Sequence, residues 1–299
     1  MNKIHVVDLH FLGEKHAIGA FLIESKVGPI LIETGPETTY EMLCKGVEAK
    51  GFKIQDIQHV LLTHIHFDHA GAAWKLAQHG ATIYVHPVGL PHLANPEKLW
   101  NSAALIYGDQ MDCLWGAMKP IPEKQLVGVD DGEELDFDDV KINVLYTPGH
   151  AVHHNAYQYE DVIFTGDVAG VKIGDGPVVA PCPPPDINIE LWKSSIEKIR
   201  NAKPRMLYLT HFSEQLNPDL FLSELSMTLD KWASFIKPFY DRQTPADQIV
   251  PVFMEFVQND LRSKGLDEHD IQVYEYANPS WMSVNGLLRY WKLKDQGRL

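Results

Sequence analysis

Three histidines and one aspartate lie within six positions of the sequence, namely His64, His66, Asp68 and His69. The apolar residues at positions 60–62, directly before this cluster, are typical of a buried strand. The residues at 72–77, directly after it, are typical of a helix. Functional groups are commonly held at such junctions, because the strand and the helix support them rigidly. The cluster therefore predicts a functional turn between a strand and a helix.

The spacing within the cluster is suited to metal binding. His64 and His66 are two positions apart, so in extended backbone their side chains leave on the same side. Asp68 and His69 are adjacent, so their side chains leave in different directions. One short loop can therefore serve two metal ions about 3.5–4 Å apart, the separation found in hydrolytic sites with two metals. Imidazole and carboxylate ligands suit zinc, and they also suit iron, manganese or cobalt.

The alternative is a histidine-rich surface loop without a metal. Three further candidate ligands downstream favour the metal site. His150 ends a Thr-Pro-Gly-His string, Asp167 ends a Thr-Gly-Asp string, and His211 follows Leu-Thr. Together with the cluster, these strings resemble the ordered motifs of the metallo-β-lactamase superfamily over residues 1–212.

The resemblance implies an α/β protein whose fold is a four-layer αββα sandwich. It also implies two divalent metal ions, with zinc as the expected metal and iron or manganese as alternatives. One ion would be held by His64, His66 and His150, the other by Asp68, His69 and His211, and Asp167 would bridge the two. Asp68 and Asp167 are also the expected catalytic residues, and no further cofactor is expected.

Strands and helices alternate in the predicted secondary structure, which is typical of an α/β protein. Strands are predicted at 3–10, 17–25, 28–33, 58–62 and 81–85, and helices at 38–50 and 70–79. Further strands are predicted near 132–136, 140–146, 155–159, 161–165 and 206–209, and a helix at 188–201. Together with the resemblance over residues 1–212, this alternation leads us to expect that these residues form the catalytic domain.

Two segments lie outside this pattern. Residues 88–125 form an apolar, mostly helical insertion, which is either a packed hairpin or a wall of the substrate pocket. We favour the wall, because pockets are lined by aromatic and flexible apolar groups. Residues 213–299 form a mostly helical C-terminal extension, with helices at 218–239, 245–263 and from Pro279, and a short strand at 271–274. We expect both tryptophan-rich segments to shape the substrate entrance, and the extension is also a candidate homodimer interface.

Three residues near the motifs have alternative interpretations. Glu33 stands where the family usually has an aspartate, and it either supports the metal loop or is a charge at a strand end. His154, four positions after His150, is expected to support the site by a hydrogen bond and not to bind metal. Cys182 lies in a proline-rich loop and is expected to have no catalytic part. No tyrosine is assigned to orient the substrate.

Composition excludes several functional classes. The formal net charge is −14, from 26 basic and 40 acidic residues, which argues against nucleic-acid binding. No apolar run approaches the roughly 20 residues that a membrane span requires. The first residues resemble a strand and not a signal peptide, and three cysteines far apart do not suggest disulfides. These features predict a cytoplasmic protein with a small-molecule substrate and no nucleic-acid or membrane partner.

The resemblance implies hydrolysis of a small ester-type substrate, with a thioester or a lactone as the two leading classes. No Gly-x-Ser-x-Gly string supports a serine hydrolase. One alternative is an iron-dependent oxidoreductase similar to the sulfur dioxygenases. The other is a metal-containing regulatory or binding protein that acts through its helical extension. The fold alone does not decide among these activities.

Overall fold

The first of two sheets follows the order of the sequence in this computed structural model, which describes residues 2–299. Its six strands are β1 (Ile4–Asp8), β2 (Gly19–Ile23), β3 (Ile30–Ile32), β4 (His59–Leu61), β5 (Thr82–Val85) and β6 (Leu126–Gly128). Strands β1 to β3 are antiparallel to one another, whereas β3 to β6 are parallel. The carboxyl ends of β3, β4 and β5 therefore lie at one edge of the sheet.

Helices connect the parallel strands, as crossovers between parallel neighbours require. They are α1 (Tyr40–Ala49), α2 (Phe67–Ala70), α3 (Ala73–Gln78), α4 (Leu90–Ala94), α5 (Glu97–Tyr107) and α6 (Met111–Leu114). The single helix predicted at 70–79 is thus two short helices, α2 and α3. The predicted insertion at 88–125 contains α4 to α6.

The second sheet also has six strands in chain order. They are β7 (Glu134–Phe137), β8 (Val140–Tyr146), β9 (Asn155–Tyr159), β10 (Val162–Phe164), β11 (Met206–Leu209) and β12 (Ser213–Leu216). Only β10 and β11 are parallel neighbours, and α7 (Ile189–Asn201) lies in the connection between them.

The two sheets pack face to face through alternate side chains. Phe21 and Ile23 of β2 lie between the sheets, where the Phe21 ring is 5.2 Å from that of Phe164 and 5.4 Å from that of Tyr208. Ala20 and Leu22 of the same strand face the opposite way, into the core beneath the helices. Because these strands are buried on both faces, they read as continuous apolar runs. The predicted four-layer αββα sandwich is confirmed.

Four helices follow the second sheet: α8 (Pro218–Asp241), α9 (Ala246–Ser263), α10 (Glu268–Ala277) and α11 (Ser280–Asp295). The strand predicted at 271–274 is wrong, because these residues belong to α10. Asp267 caps that helix by accepting a hydrogen bond from the Asp270 N–H at 2.9 Å, and Ile271, Tyr274 and Ala277 are buried at helical spacing. Since the second sheet continues to Leu216, the division at residue 212 stays a prediction. No helix among residues 2–299 has the length and apolarity needed to cross a membrane.

Candidate metal centre

The seven predicted ligands meet where the carboxyl ends of strands from both sheets converge. The loop after β4 supplies the 64–69 cluster, and α2 begins directly after His66. The loop after β8 supplies His150, the turn after β10 supplies Asp167, and the chain after β11 supplies His211. Five of the seven are buried, and only His66 and Asp68 are partly exposed.

The first set consists of three imidazoles whose nitrogens converge on one point. His66 Nδ1 lies 2.9 Å from His64 Nε2 and 3.1 Å from His150 Nε2. The Asp167 Oδ2 atom lies 3.3 Å from His150 Nε2. Three ring nitrogens cannot all satisfy one another by hydrogen bonds, because few protons are available to share among them.

The second set shares Asp167 with the first. Asp167 Oδ1 lies 3.1 Å from His69 Nε2 and 3.4 Å from His211 Nε2. Asp68 Oδ2 lies 3.5 Å from His211 Nε2 and 3.7 Å from His69 Nε2. One oxygen of Asp167 therefore faces each set, as the predicted bridging role requires.

Buried atoms without partners show that these residues fit metal ions. His69 Nε2, His211 Nε2 and Asp167 Oδ1 are buried, and although Asp167 Oδ1 lies 3.1 and 3.4 Å from the two nitrogens, none of the three atoms makes an aligned hydrogen bond within residues 2–299. Such atoms are costly unless another species satisfies them. Tetrahedral zinc with bonds of about 2.0–2.1 Å to nitrogen places its ligand atoms roughly 3.3 Å apart, close to the separations observed. The donor set of imidazoles and carboxylates also suits iron and manganese.

Each buried imidazole is oriented through its other nitrogen. The Nδ1 atoms of His150 and His211 donate to the carbonyl oxygens of Pro181 at 2.9 Å and of Ala17 at 2.7 Å. Because a carbonyl only accepts, both rings are protonated on Nδ1, so Nε2 is the atom that each ring presents to a metal. His64 Nδ1 is similarly held by the Thr63 hydroxyl at 3.0 Å.

Glu33 supports the metal loop from outside the ligand sets. Its carboxylate is fully buried and lies 2.9 Å from His69 Nδ1. It also accepts hydrogen bonds from the Thr63 hydroxyl and, at 3.3 Å, from the Thr63 N–H. Of the two interpretations of Glu33, the structure supports the positioning role and not the strand-end charge.

The predicted supporting role of His154 is confirmed. Its Nε2 accepts a hydrogen bond from the Asp167 N–H at 3.2 Å, and its Nδ1 lies 2.8 Å from the Thr147 hydroxyl. Gly166, directly before Asp167, has a φ of 49°, and a Cβ there would lie 2.8 Å from His154 Nε2. A glycine is therefore needed for the Asp167 turn to approach its support.

The ionisation of the two sets differs. Burial and repulsion from neighbouring imidazoles lower the pKa of His64 well below its ordinary value and that of His66 to about 3. Burial alone would also lower the pKa of His69 and His211, but the carboxylates around them outweigh it. They raise the pKa of His69 well above its ordinary value and that of His211 to about 9. Without metal, the first set is neutral and the second set is an ionic cluster.

A cleft of about 380 Å³ opens over the partly exposed ligands His66 and Asp68. Both segments outside the alternating pattern line it, together with the prolines at 181–185. The insertion supplies Leu99, Ile106, Tyr107 and Trp115, and the extension supplies Tyr276, Pro279 and Met282. The Tyr107 ring lies 5.5 Å from the Trp281 ring, so the two segments touch across the cleft wall.

Other tryptophans of the extension lie away from the cleft. Trp232 packs against Phe253 at 5.0 Å, and the Trp291 N–H donates to the Ala233 carbonyl at 3.0 Å. The tryptophan-rich composition predicts that Trp232 and Trp291 also help to shape the entrance, and for these two residues that prediction is wrong, because they pack within the extension and do not line the cleft. Cys182 is fully buried, and burial raises the pKa of its thiol, as expected for a cysteine without a catalytic part.

Several contributors to the site are not identified by the sequence analysis. His153 is 7% exposed, lines the cleft and has a buried Nδ1 without a partner among the described residues. The Pro181 carbonyl holds His150 across 31 positions of sequence. No local sequence signal identifies the contact between Pro181 and His150. His153, by contrast, lies close to the His150 motif and is a candidate site residue for that reason.

Comparisons with known proteins agree with this geometry. The model of the metallo-beta-lactamase superfamily matches residues 17–211. A metallo-beta-lactamase fold-containing protein from Sulfurisphaera tokodaii is 29% identical over 224 residues, covering 72% of this chain and 84% of that relative. A hydroxyacylglutathione hydrolase from Aeromonas salmonicida is 29% identical over 108 residues, covering 36% of this chain and 32% of that relative.

A solved structure extends the similarity to nearly the whole chain. The crystal structure of a metallo-beta-lactamase family protein from Thermus thermophilus superposes with a TM-score of 0.64 at 17% identity. The match covers 98% of this chain and 94% of that one. At this identity the likeness shows the fold alone, but it includes the helices after the second sheet.

Proposed function

The chain belongs to the metallo-beta-lactamase superfamily and has the histidine and aspartate cluster of a metal-dependent hydrolase, and we propose that it cleaves a small thioester or lactone with two divalent metal ions. The main support for this proposal is the Asp167 carboxylate, which both ligand sets share. Asp167 directs one oxygen to each ligand set, and both sets form the floor of a cleft. Zinc is the metal we propose, with iron and manganese as alternatives.

The two ligand sets, which share Asp167, would hold the two ions in two adjacent sites. Bound there, the ions would supply Lewis-acid activation of the attacking water and of the acyl carbonyl. His64, His66 and His150 contribute no net charge to one site, whereas Asp68 adds a carboxylate to the other. Asp167 fixes the distance between the sites, since its two oxygens face opposite sets.

Asp68 is suited to move a proton during the reaction. Burial alone would raise its pKa, but the imidazoles of His69 and His211 lower it below the ordinary value. The carboxylate is therefore ionised at neutral pH, and its side chain is 21% exposed toward the cleft. We propose that Asp68 accepts a proton from water and returns it to the leaving sulfur or oxygen.

The walls of the cleft favour an uncharged, apolar acyl group. Trp115, Met282 and the proline loop belong to the apolar lining, and aromatic and apolar walls exclude water from the reacting bond. Polar groups lie among them at Lys98, His153 and Asp186. The similarity to a hydroxyacylglutathione hydrolase supports a thioester as one of the two substrate classes.

The test is a panel of thioesters, lactones and phosphodiesters offered to protein loaded with zinc, manganese or iron. We expect hydrolysis of thioesters or lactones, and kcat/KM should rise about fourfold per added methylene until the cleft is full, because each buried methylene contributes about 0.8 kcal/mol. Asp68→Asn should lower the rate by about 10²–10⁴-fold.

Two outcomes would contradict the proposal. One is a metal-loaded protein that leaves every ester in the panel intact but consumes oxygen with a persulfide, which would favour the oxidoreductase. The other is purified protein that binds none of the three metals, which would favour a different kind of site. Preferential cleavage of a phosphodiester over all acyl substrates would show that the proposed substrate class is wrong, but it would not contradict the proposed metal site.

A further inference from the structure

The orientation of His150 depends on one backbone carbonyl. The imidazole is almost fully buried, and its Nδ1 donates to the Pro181 carbonyl oxygen at 2.9 Å. This hydrogen bond fixes the tautomer and turns Nε2 toward His66. Any shift of Pro181 would therefore rotate or release His150.

The backbone next to Pro181 is held by the C-terminal extension. The Cys182 N–H donates to the Ser283 hydroxyl oxygen at 3.3 Å. That hydroxyl in turn donates to Asn278 Oδ1 at 3.0 Å. Ser283 and Cys182 are fully buried and Asn278 is 7% exposed, so water cannot readily replace these hydrogen bonds. Residues near the start of α11 thus fix the peptide that follows Pro181.

Close backbone packing reinforces this contact one turn farther along α11. Gly286 lies directly against the Cys182 carbonyl, and a Cβ added there would collide with that oxygen and lie 2.9 Å from the Pro183 backbone carbon. Only glycine allows the helix and the loop to approach so closely. Near the end of the loop, the Arg289 side chain donates to the Pro185 carbonyl at 2.8 Å.

We propose that α11 positions a metal ligand, with Ser283 and Gly286 as positioning residues that act on His150 through Cys182 and Pro181. This inference rests on the proposed metal centre, but it concerns metal affinity and not the substrate. The extension would then have two roles, since its residues also line the cleft. A purely structural role predicts that changes in α11 lower stability and leave metal affinity intact.

The experiment measures the affinity of metal-free protein for zinc, one equivalent at a time, by competition with a chelator. We expect Ser283→Ala to weaken one of the two equivalents about tenfold and to leave the other unchanged, since loss of an outer hydrogen-bond partner commonly costs 10–100-fold in metal affinity. Gly286→Ala should weaken the same equivalent by at least as much.

The matched control is Ser280→Ala. Ser280 lies in the same helix and is 3% exposed, but its hydroxyl donates to Glu275, within the extension, at 2.7 Å. This variant should lose stability and keep both zinc affinities. In a His150→Ala background, Ser283→Ala should have no further effect on zinc affinity, which would place the effect on His150.

Unchanged zinc affinities in folded Ser283→Ala would overturn the inference. If Gly286→Ala does not fold, Ser283→Ala alone tests the inference. An equal loss in Ser280→Ala would also overturn it, because the effect would then reflect general destabilisation. If the unaltered protein binds no zinc, manganese or iron, both this inference and the proposed function are wrong. If it binds metal but hydrolyses no ester, only the proposed function fails.

Discussion

At the scale of single residues, Glu33 has a larger part than its position at a strand end suggests. Its backbone is left-handed, with a φ of 64°, which is uncommon for a residue other than glycine. Three partners hold its buried carboxylate: His69, Thr63 and, at 3.5 Å, the Thr210 hydroxyl. Glu33 therefore joins the loops after β4 and β11, each of which carries ligands of the second set.

Replacing Glu33 by alanine should weaken metal binding at the second set by about 10–100-fold, because His69 would lose the partner that orients it. Glu24→Ala is the matched control, since Glu24 also follows a strand but pairs with His5, distant in sequence from the ligands. Chelator competition on both variants measures the effect. Equal affinities in the two variants would show that Glu33 is only a strand-end charge.

The raised pKa values of His69 and His211 lead to a second expectation. At pH 7.5 both rings are cationic in the metal-free protein, with a proton on each nitrogen, whereas His64 and His66 are neutral and have one proton each. Filling the second set should therefore release about two protons, and filling the first set almost none. Calorimetry in two buffers of different ionisation enthalpy measures the number released.

The same shift affects the stability of the metal-free protein. The folded-state pKa of His211 lies above its ordinary value of 6.5, so its contribution is fully present below pH 6.5 and is lost as the pH rises through about 9. Unfolding by urea at several pH values measures this loss. A metal-free protein whose stability rises between pH 7 and 9 would contradict the assignment of charges.

At the scale of elements, helices α5 and α11 form two walls of one cleft, although each belongs to a segment without a metal ligand. Tyr107 of α5 connects them, because its ring packs against Trp281 and its hydroxyl lies 3.3 Å from the Met282 sulfur. A thioether is a weak acceptor, so this contact joins the walls mainly through packing. Wall residues of α5 and α11 that do not contact the proline loop, such as Tyr107 and Trp281, can therefore change without disturbing the ligands.

Trp281→Ala should raise KM for long acyl substrates several-fold and leave kcat almost unchanged, since the change removes the ring that supports the lining residue Tyr107 and no reacting group. Trp291→Ala is the matched control, because it lies in the same helix and packs against Ala233 inside the extension. It should lower stability and leave KM unaltered. Unchanged KM values in Trp281→Ala would show that Trp281 has only a packing role.

What can be predicted from the sequence differs between elements for physical reasons. Strands β2 and β3 are buried on both faces, so their apolar runs are conspicuous. Strands β6 and β12 are short edge strands with exposed residues, so they carry little hydrophobic pattern and are missed. In α10 the alternation around Ile271 and Val273 resembles a strand, and only the cap at Asp267 indicates a helix.

The residues of the metal centre likewise differ in how well the sequence predicts them. Each expected ligand lies in a short string with its own spacing, so all seven can be predicted as ligands before the fold is known. The partners that orient them are distant in sequence, such as Glu33 for His69 and Pro181 for His150. A backbone carbonyl such as that of Pro181 has no signature in the sequence, because every residue has one.

At the scale of the whole molecule, the metal centre lies where the two sheets and the extension meet. Ligands or their supports come from both sheets, from the proline loop and, through that loop, from α11. Metal binding should therefore stabilise the entire sandwich and not one loop, because the ions bind the folded state alone.

Removal of metal by a chelator should lower the thermal midpoint in a single cooperative transition. At free zinc of about 100 times Kd, binding at one site adds about 2.7 kcal/mol, or roughly 5 °C in Tm for a large domain. Scanning calorimetry with and without zinc measures the shift. A transition that splits in two, with only the extension unaffected, would show that the extension is energetically separate from the centre.

The contact between α11 and the proline loop also bears on how the molecule is synthesised. His211 is the last of the seven ligands to leave the ribosome, yet Ser283 and Gly286 follow it much later in the chain. Because domains fold progressively during translation, a nascent chain would have every ligand available before His150 is held in place. Tight capture of metal would then wait for the C-terminal helices, so that a truncated translation product would be a poor competitor for the cell's free zinc.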